Sequence, residues 1–177
     1  LSRDQYFSTI AQLSLNHSQA LYAAELRSYR HTHFLRLLML EYAGLINTQD
    51  ALRSWSDCAD AIILHCLTFC QKTIASRYGI PRDEQGNEVH LYTLAMGKLG
   101  GRELNYSSDI DLIFTFTAVG TTDAVTSVDN QQYFSKVIQL FLQIMQNSTA
   151  QGFVFRVDLR LRPNGDSGAL VLSLAAM

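Results

Sequence analysis

The chain has 177 residues, 47% of them hydrophobic, and a formal net charge of −2. That length holds one medium domain or two small ones, with enough apolar surface for a real core. The near-neutral balance argues against a protein that coats nucleic acid, and no uncharged apolar run reaches the roughly 18 residues of a membrane span.

Residues 4–78 read as helical. Leu21, Leu26, Phe34, Leu37, Leu38 and Leu45 recur at spacings near three, four and seven or eight, and Gly44 is a plausible C-terminal stop. Thr48 is placed to cap a long helix that runs to about Tyr78, with Trp55, Ala59, Ile62, Ile63, Cys66, Phe69 and Ile74 on its apolar side. Gly79 and Pro81 end it. Cys58, Cys66 and Cys70 lie in this apolar stretch without a framework spacing, so they read as reduced core thiols and point to a cytoplasmic protein. His31 and His33, two residues apart on a helix, diverge by about 200° and read as surface histidines rather than a metal pair.

The polar, turn-rich stretch PRDEQGNE, residues 81–88, reads as a junction. We therefore expect a helical segment over 1–85 and an α+β unit over 86–177. VHLYTLAM (89–96) and DIDLIFTFT (109–117) read as strands on either side of a glycine-rich turn. DNQQYFSKVIQLFLQIMQNS (129–148) reads as an amphipathic helix capped by Asp129. GFVFRVDLRLRP (152–163) alternates with period two, as a half-buried strand does, and Pro163, Asn164 and Gly165 then turn the chain. The first residue is not Met and the last lie within an apolar segment, as expected of a piece of a longer polypeptide; no signal peptide is evident.

The chemistry concentrates in GKLGGRELNYSSDIDLIF, residues 97–114. Asp109 and Asp111 sit in an apolar run, where a charge is costly unless water or a cation meets it. Residues i and i+2 of a strand share a face, so the two carboxylates project together. Such a pair repels unless a cation bridges it, and Mg²⁺ prefers oxygen ligands. Asp158, also set between hydrophobic residues, joins them if its strand neighbours that of Asp111. Three converging carboxylates suit metal-assisted phosphoryl or nucleotidyl transfer. Gly97, Gly100 and Gly101 permit close backbone approach, and a helix start near Gly100 would present N–H groups to a phosphate. Lys98, Arg102, Arg160 and Arg162 are candidate phosphate partners, and Ser108 a further contact. The competing structural readings are a solvated strand end, a plain glycine turn and a polar strand face. Tyr106 reads as a packing residue. A dinucleotide-binding module fits poorly, because Gly97-x-x-Gly100-Gly101 is not G-x-G-x-x-G and the aspartates come too early.

Met96-Gly97-Lys98 followed by Asp109-Ile110-Asp111-Leu112 resembles the signature of the DNA polymerase β-type nucleotidyltransferases, with Lys98 where Gly or Ser is usual. The longer strings GKLGGRELNYSSDIDLIF and FRVDLRLRPNGDSGALVLS resemble the bacterial bifunctional glutamine synthetase adenylyltransferase/adenylyl-removing family. That resemblance implies a mixed sheet with flanking helices and a metal site, Mg²⁺, on Asp109, Asp111 and Asp158. It implies a nucleotide and inorganic phosphate as small-molecule partners. Glutamine synthetase would be the protein substrate and a PII signalling protein a regulator. Asn105 and Arg156 look more like the adenylyl-removing half, in which phosphate displaces tyrosine from AMP and ADP leaves. The half that attaches AMP from ATP is the alternative, and a fragment that folds but lacks activity is another.

Overall fold

The computed structural model describes residues 1–177, the side chain of Asp166 excepted. Three helices come first: α1 (Arg3–Ile10), α2 (Gln19–Tyr42) and α3 (Thr48–Tyr78). Ser2 and Ser18 cap the first two through their hydroxyls. The cap of α3 is Asn47 rather than Thr48: its Oδ1 accepts the Asp50 N–H at 2.9 Å, and Thr48 is already the first helical residue. Gly44 follows the end of α2 with φ +68°, a left-handed conformation that favours glycine. Further along come β1 (Pro81–Asp83), β2 (Leu91–Met96), the single turn α4 (Gly97–Gly100), β3 (Ile110–Phe116), β4 (Gly120–Thr122), α5 (Asn130–Gln146), β5 (Val157–Asp158) and β6 (Leu172–Ser173). The molecule is thus α+β, with helices against a mixed sheet.

Strand β3 is the axis of that sheet. β2 runs antiparallel along one edge, from Leu91 opposite Phe116 to Met96 opposite Asp111. β5 and β6 pair parallel with its two ends, at Ile110–Asp111 and Thr115–Phe116. A separate two-stranded ribbon joins β1 to β4. Side-chain alternation then divides the two faces. Leu112, Phe114 and Phe116 point to the helices; Phe114 meets Phe141 at 5.7 Å and Phe116 meets Phe134 at 5.2 Å between ring centroids. Asp111 lies on the other face, beside Met96, Leu94 and Tyr92, which remain 37%, 44% and 49% exposed. The aspartate is tolerated within an apolar strand because it stands at the entry to β3, where this face is still partly open; farther along the same face Ile113 and Thr115 are buried.

One continuous core links the first helices to the sheet, with Trp55 of α3 fully buried against Phe34, Tyr106 and Phe155. Tyr106 is a packing residue, its hydroxyl bonded to Glu41 at 3.1 Å. Cys58, Cys66 and Cys70 are buried and unpaired. His33 departs from expectation. It is buried between Tyr6 of α1 and Tyr29 of its own helix, at centroid distances of 5.0 and 4.4 Å, because these two rings cover the imidazole.

The segment 152–163 also differs. Only Val157 and Asp158 pair as a strand. The Arg160 N–H turns back to Asp158 Oδ1 at 2.8 Å, and the amides of Arg162 and Gly165 reach the carbonyls of Leu159 and Arg162. These local bonds compete with the ladder and end it after two residues. Leu161, expected to face the core, is 54% exposed.

Candidate active site

The glycine turn is anchored from below by α3. Leu99 and Leu104 are buried, the Leu104 N–H donates to Ser56 Oγ at 3.1 Å, and Arg102 forms a close ion pair with Asp57 and a 3.8 Å contact with Asp60. Arg102 therefore serves this anchorage, and its guanidinium already has carboxylate partners. The helical turn starts at Gly97, not near Gly100, and is four residues long. So short a turn sums few peptide dipoles and offers little to an anion.

Two glycines of the turn have a steric reason. Gly97 has φ +53°, and a Cβ there would collide with Asp111 Oδ2. Glycine at this position leaves room for the Asp111 carboxylate. A Cβ on Gly100 would lie 2.5 Å from the Ala95 carbonyl oxygen, so its close backbone approach is to β2. A Cβ on Gly101 would make only ordinary contact, 3.5 Å from Glu103.

Strand pairing sets two of the three aspartates side by side in register. Asp111 and Asp158 are direct register partners on parallel strands, and Asp109 stands two residues before Asp111 at the entry to β3. Their neighbours are arginines. Arg156 Nε donates to Asp109 Oδ1 at 2.5 Å and its Nη2 to the Ser107 carbonyl at 3.0 Å. Arg160 clasps Asp158 with bonds of 2.8 and 3.0 Å from Nε and 2.5 Å from Nη2. The side-chain bonds from Arg160, aided by its backbone N–H, hold the Asp158 carboxyl below its ordinary value. Asp158 is thus a carboxylate at neutral pH, suited to holding a cation rather than to delivering a proton. Arg162 bonds the carbonyls of Leu159 and Gly168 at 2.9 and 3.4 Å, bracing the turn after β5. Lys98 Nζ reaches Ser108 Oγ at 3.4 Å, which ties the two ends of the glycine segment together.

Asp109, Asp158, Arg156, Arg160 and Arg162 line one open cleft of about 480 Å³ between β5 and α5. Arg156, named in the sequence only as a mark of one half of the family, is the arginine of this cleft that was not among the candidate phosphate partners. It shares its alternation with Asp158, Arg160 and Arg162, and that parity was the available signal. Among the described residues no three acidic, histidine or cysteine side chains are gathered as a closed metal cage; Asp109 and Asp158 are turned onto their arginines. The donor set nonetheless fits a hard divalent cation: carboxylate oxygens only, on adjacent strands, with Gly97 clearing the space beside Asp111.

Residues 4–177 match the glutamate-ammonia ligase adenylyltransferase family. The chain is 42% identical over 154 residues to the bifunctional glutamine synthetase adenylyltransferase/adenylyl-removing enzyme of Thioalkalivibrio sulfidiphilus, covering 87% of this chain and 16% of that protein. Against the protein of the same name from Shewanella loihica it is 40% identical over 179 residues, covering 100% and 19%. For Hahella chejuensis the figures are 44% over 153 residues, 86% and 16%. The chain spans less than a fifth of the length of these relatives.

Proposed function

The chain belongs to the glutamate-ammonia ligase adenylyltransferase family, and from that premise we propose that it removes AMP from an adenylylated tyrosine of glutamine synthetase by phosphorolysis. The observation that carries the reading is the register pair Asp111–Asp158, with Asp109 beside it and Arg156 and Arg160 at the same rim. The direction rests on Asn105 and Arg156, which resemble the removing half of the family.

In this reading inorganic phosphate attacks the AMP phosphorus in line. The bond from phosphorus to the tyrosine oxygen breaks, a new phosphorus–oxygen bond forms ADP, and the proton of the phosphate ends on the tyrosine. Arg156 and Arg160 exchange their aspartates for phosphate oxygens, which orients the nucleophile and offsets its charge. Lys98 and Ser108 stand at the mouth of the glycine turn for a further phosphate contact. Asp109, Asp111 and Asp158 would hold the divalent cation, with Mg²⁺ the match for an all-oxygen set. When bound, it would supply charge neutralisation at the transferred phosphoryl group. Residues 86–177 carry the chemistry and residues 1–85 brace it, through Asp57, Asp60 and Ser56. The resemblance adds a PII signalling protein as regulator, and the buried unpaired cysteines support a cytoplasmic setting.

The test supplies adenylylated glutamine synthetase, Mg²⁺ and phosphate to a full-length polypeptide carrying this segment and follows ADP. Release that disappears with Asp111→Asn is the expected result. AMP transfer from ATP that depends on the same aspartate, without ADP release, would instead assign the attaching reaction.

A further inference from the structure

A cavity of about 650 Å³ lies apart from the cleft that holds Asp109 and Asp158. It lies between the end of α3 and α5, with Ile74 and Leu140 in its floor and Arg77 and Lys136 at its rim. Both cations sit over the ring of Tyr78, Arg77 Cζ at 5.1 Å and Lys136 Nζ at 5.2 Å from its centroid. Among the described residues neither is in an ion pair.

This cavity is joined to the candidate active site. It shares Gln19 and Gln143 with a middle pocket of about 400 Å³, and that pocket shares Leu142 and Gln146 with the cleft of Asp109 and Asp158. Lys136, Gln139, Gln143 and Gln146 follow the spacing of one α5 face. The trough along that face runs from Lys136 to Gln146, ten steps of roughly 1.5 Å or about 15 Å. Among the described residues its lining holds acids only at the catalytic end, Asp109 and Asp158; the far end is basic and the middle is amide. Gln19 Nε2 donates to Gln143 Oε1 at 3.4 Å and Gln146 Nε2 to the Val157 carbonyl at 3.1 Å; amides keep further donor and acceptor capacity for the N–H and C=O groups of an extended backbone.

We propose that the trough along α5 is a docking channel for the polypeptide flanking the modified tyrosine, with acidic side chains of that segment seated at Arg77 and Lys136. This deepens the functional reading above and rests on it for the tyrosine at the catalytic end. An extended chain advances about 3.3 Å per residue, so the acidic positions fall about four to six residues from the tyrosine. Continuity with the catalytic cleft selects a substrate segment, and the sign of the far end selects acids.

The test is a binding titration, by fluorescence anisotropy, on a full-length polypeptide carrying this segment. One labelled peptide has an O-AMP-tyrosine, a four-residue Gly-Ser spacer on each side and a Glu pair beyond each spacer; a second replaces the Glu residues with Lys. The Glu peptide binds at least about tenfold more tightly than the Lys peptide. Arg77→Glu/Lys136→Glu reverses that preference, and the preference fades with added salt. Equal binding of both peptides would overturn the proposal. So would a loss of Glu-peptide binding in the variant with no gain for the Lys peptide, since that is the signature of a structural defect. The titration reads binding alone: a protein that shows the charge preference but releases no ADP would sink the phosphorolysis reading and leave the channel standing.

Discussion

Replacing Gly97 by Ala perturbs the site in a way that the structure makes quantitative. The residue has φ +53°, where an L-residue costs about 1–2 kcal/mol. The added Cβ also collides with Asp111 Oδ2, so the carboxylate has to swing or the turn has to lift. Either shift is of the order of 1 Å, and a misplacement of about 1 Å in a catalytic group costs roughly 10²-fold in rate. Gly44→Ala provides the control, because Gly44 has φ +68° and nothing within 4 Å of its Cβ position. Thermal unfolding of the isolated chain measures the shared part: both variants lose about 1–2 kcal/mol, a few degrees in Tm for a protein of this size. The phosphorolysis assay that tests the proposed function, run on a full-length polypeptide, measures the other part. Gly97→Ala falls about 10²-fold and Gly44→Ala stays near the unsubstituted rate. Equal activity in the two variants would refute the claim that glycine at position 97 exists to clear Asp111.

Asp111→Asn and Asp158→Asn each lower activity by about 10²-fold or more while Tm changes little, as expected of charges held for a cation rather than for the core; parallel activity and melting curves distinguish the two. Trp55→Ala removes a fully buried ring that touches Phe34, Tyr106 and Phe155, and denaturant titration shows a loss of about 3–5 kcal/mol. Stability also declines on acidification. Desolvation lowers the His33 and His65 values below those of free histidine, so below about pH 6.5 the unfolded chain takes up more protons and the folded state loses ground. A His33→Gln/His65→Gln variant has a flatter Tm between pH 7 and 5, and an unchanged slope would show that other groups dominate.

Much of the architecture was legible in the residues. The apolar stripe of α5, the long run of α3 and the strands around Gly97 and Asp111 announce themselves by period alone, since each element buries one face. The aspartates were legible for a related reason. Charges two residues apart at the start of an otherwise apolar strand mark a stretch of one face that the core does not claim, and Asp111 lies there, ahead of buried Ile113 and Thr115. Local competition was harder to read. The alternation of 152–163 promised a long strand, but the Asp158 carboxylate captures the Arg160 amide and turns the chain after two paired residues.

What the tertiary structure alone decided is which cation meets which anion. Nothing in the order of residues tells Arg102, which braces the turn against Asp57, from Arg156, which stands over Asp109. Both are arginines near the same motif, and their partners lie 45 and 47 positions away in sequence. Pattern and spacing specify the face on which a side chain emerges. Partnership across such distances is set by how helix and sheet pack, because an ion pair depends on the few ångströms between its atoms and on how much water the fold leaves around them.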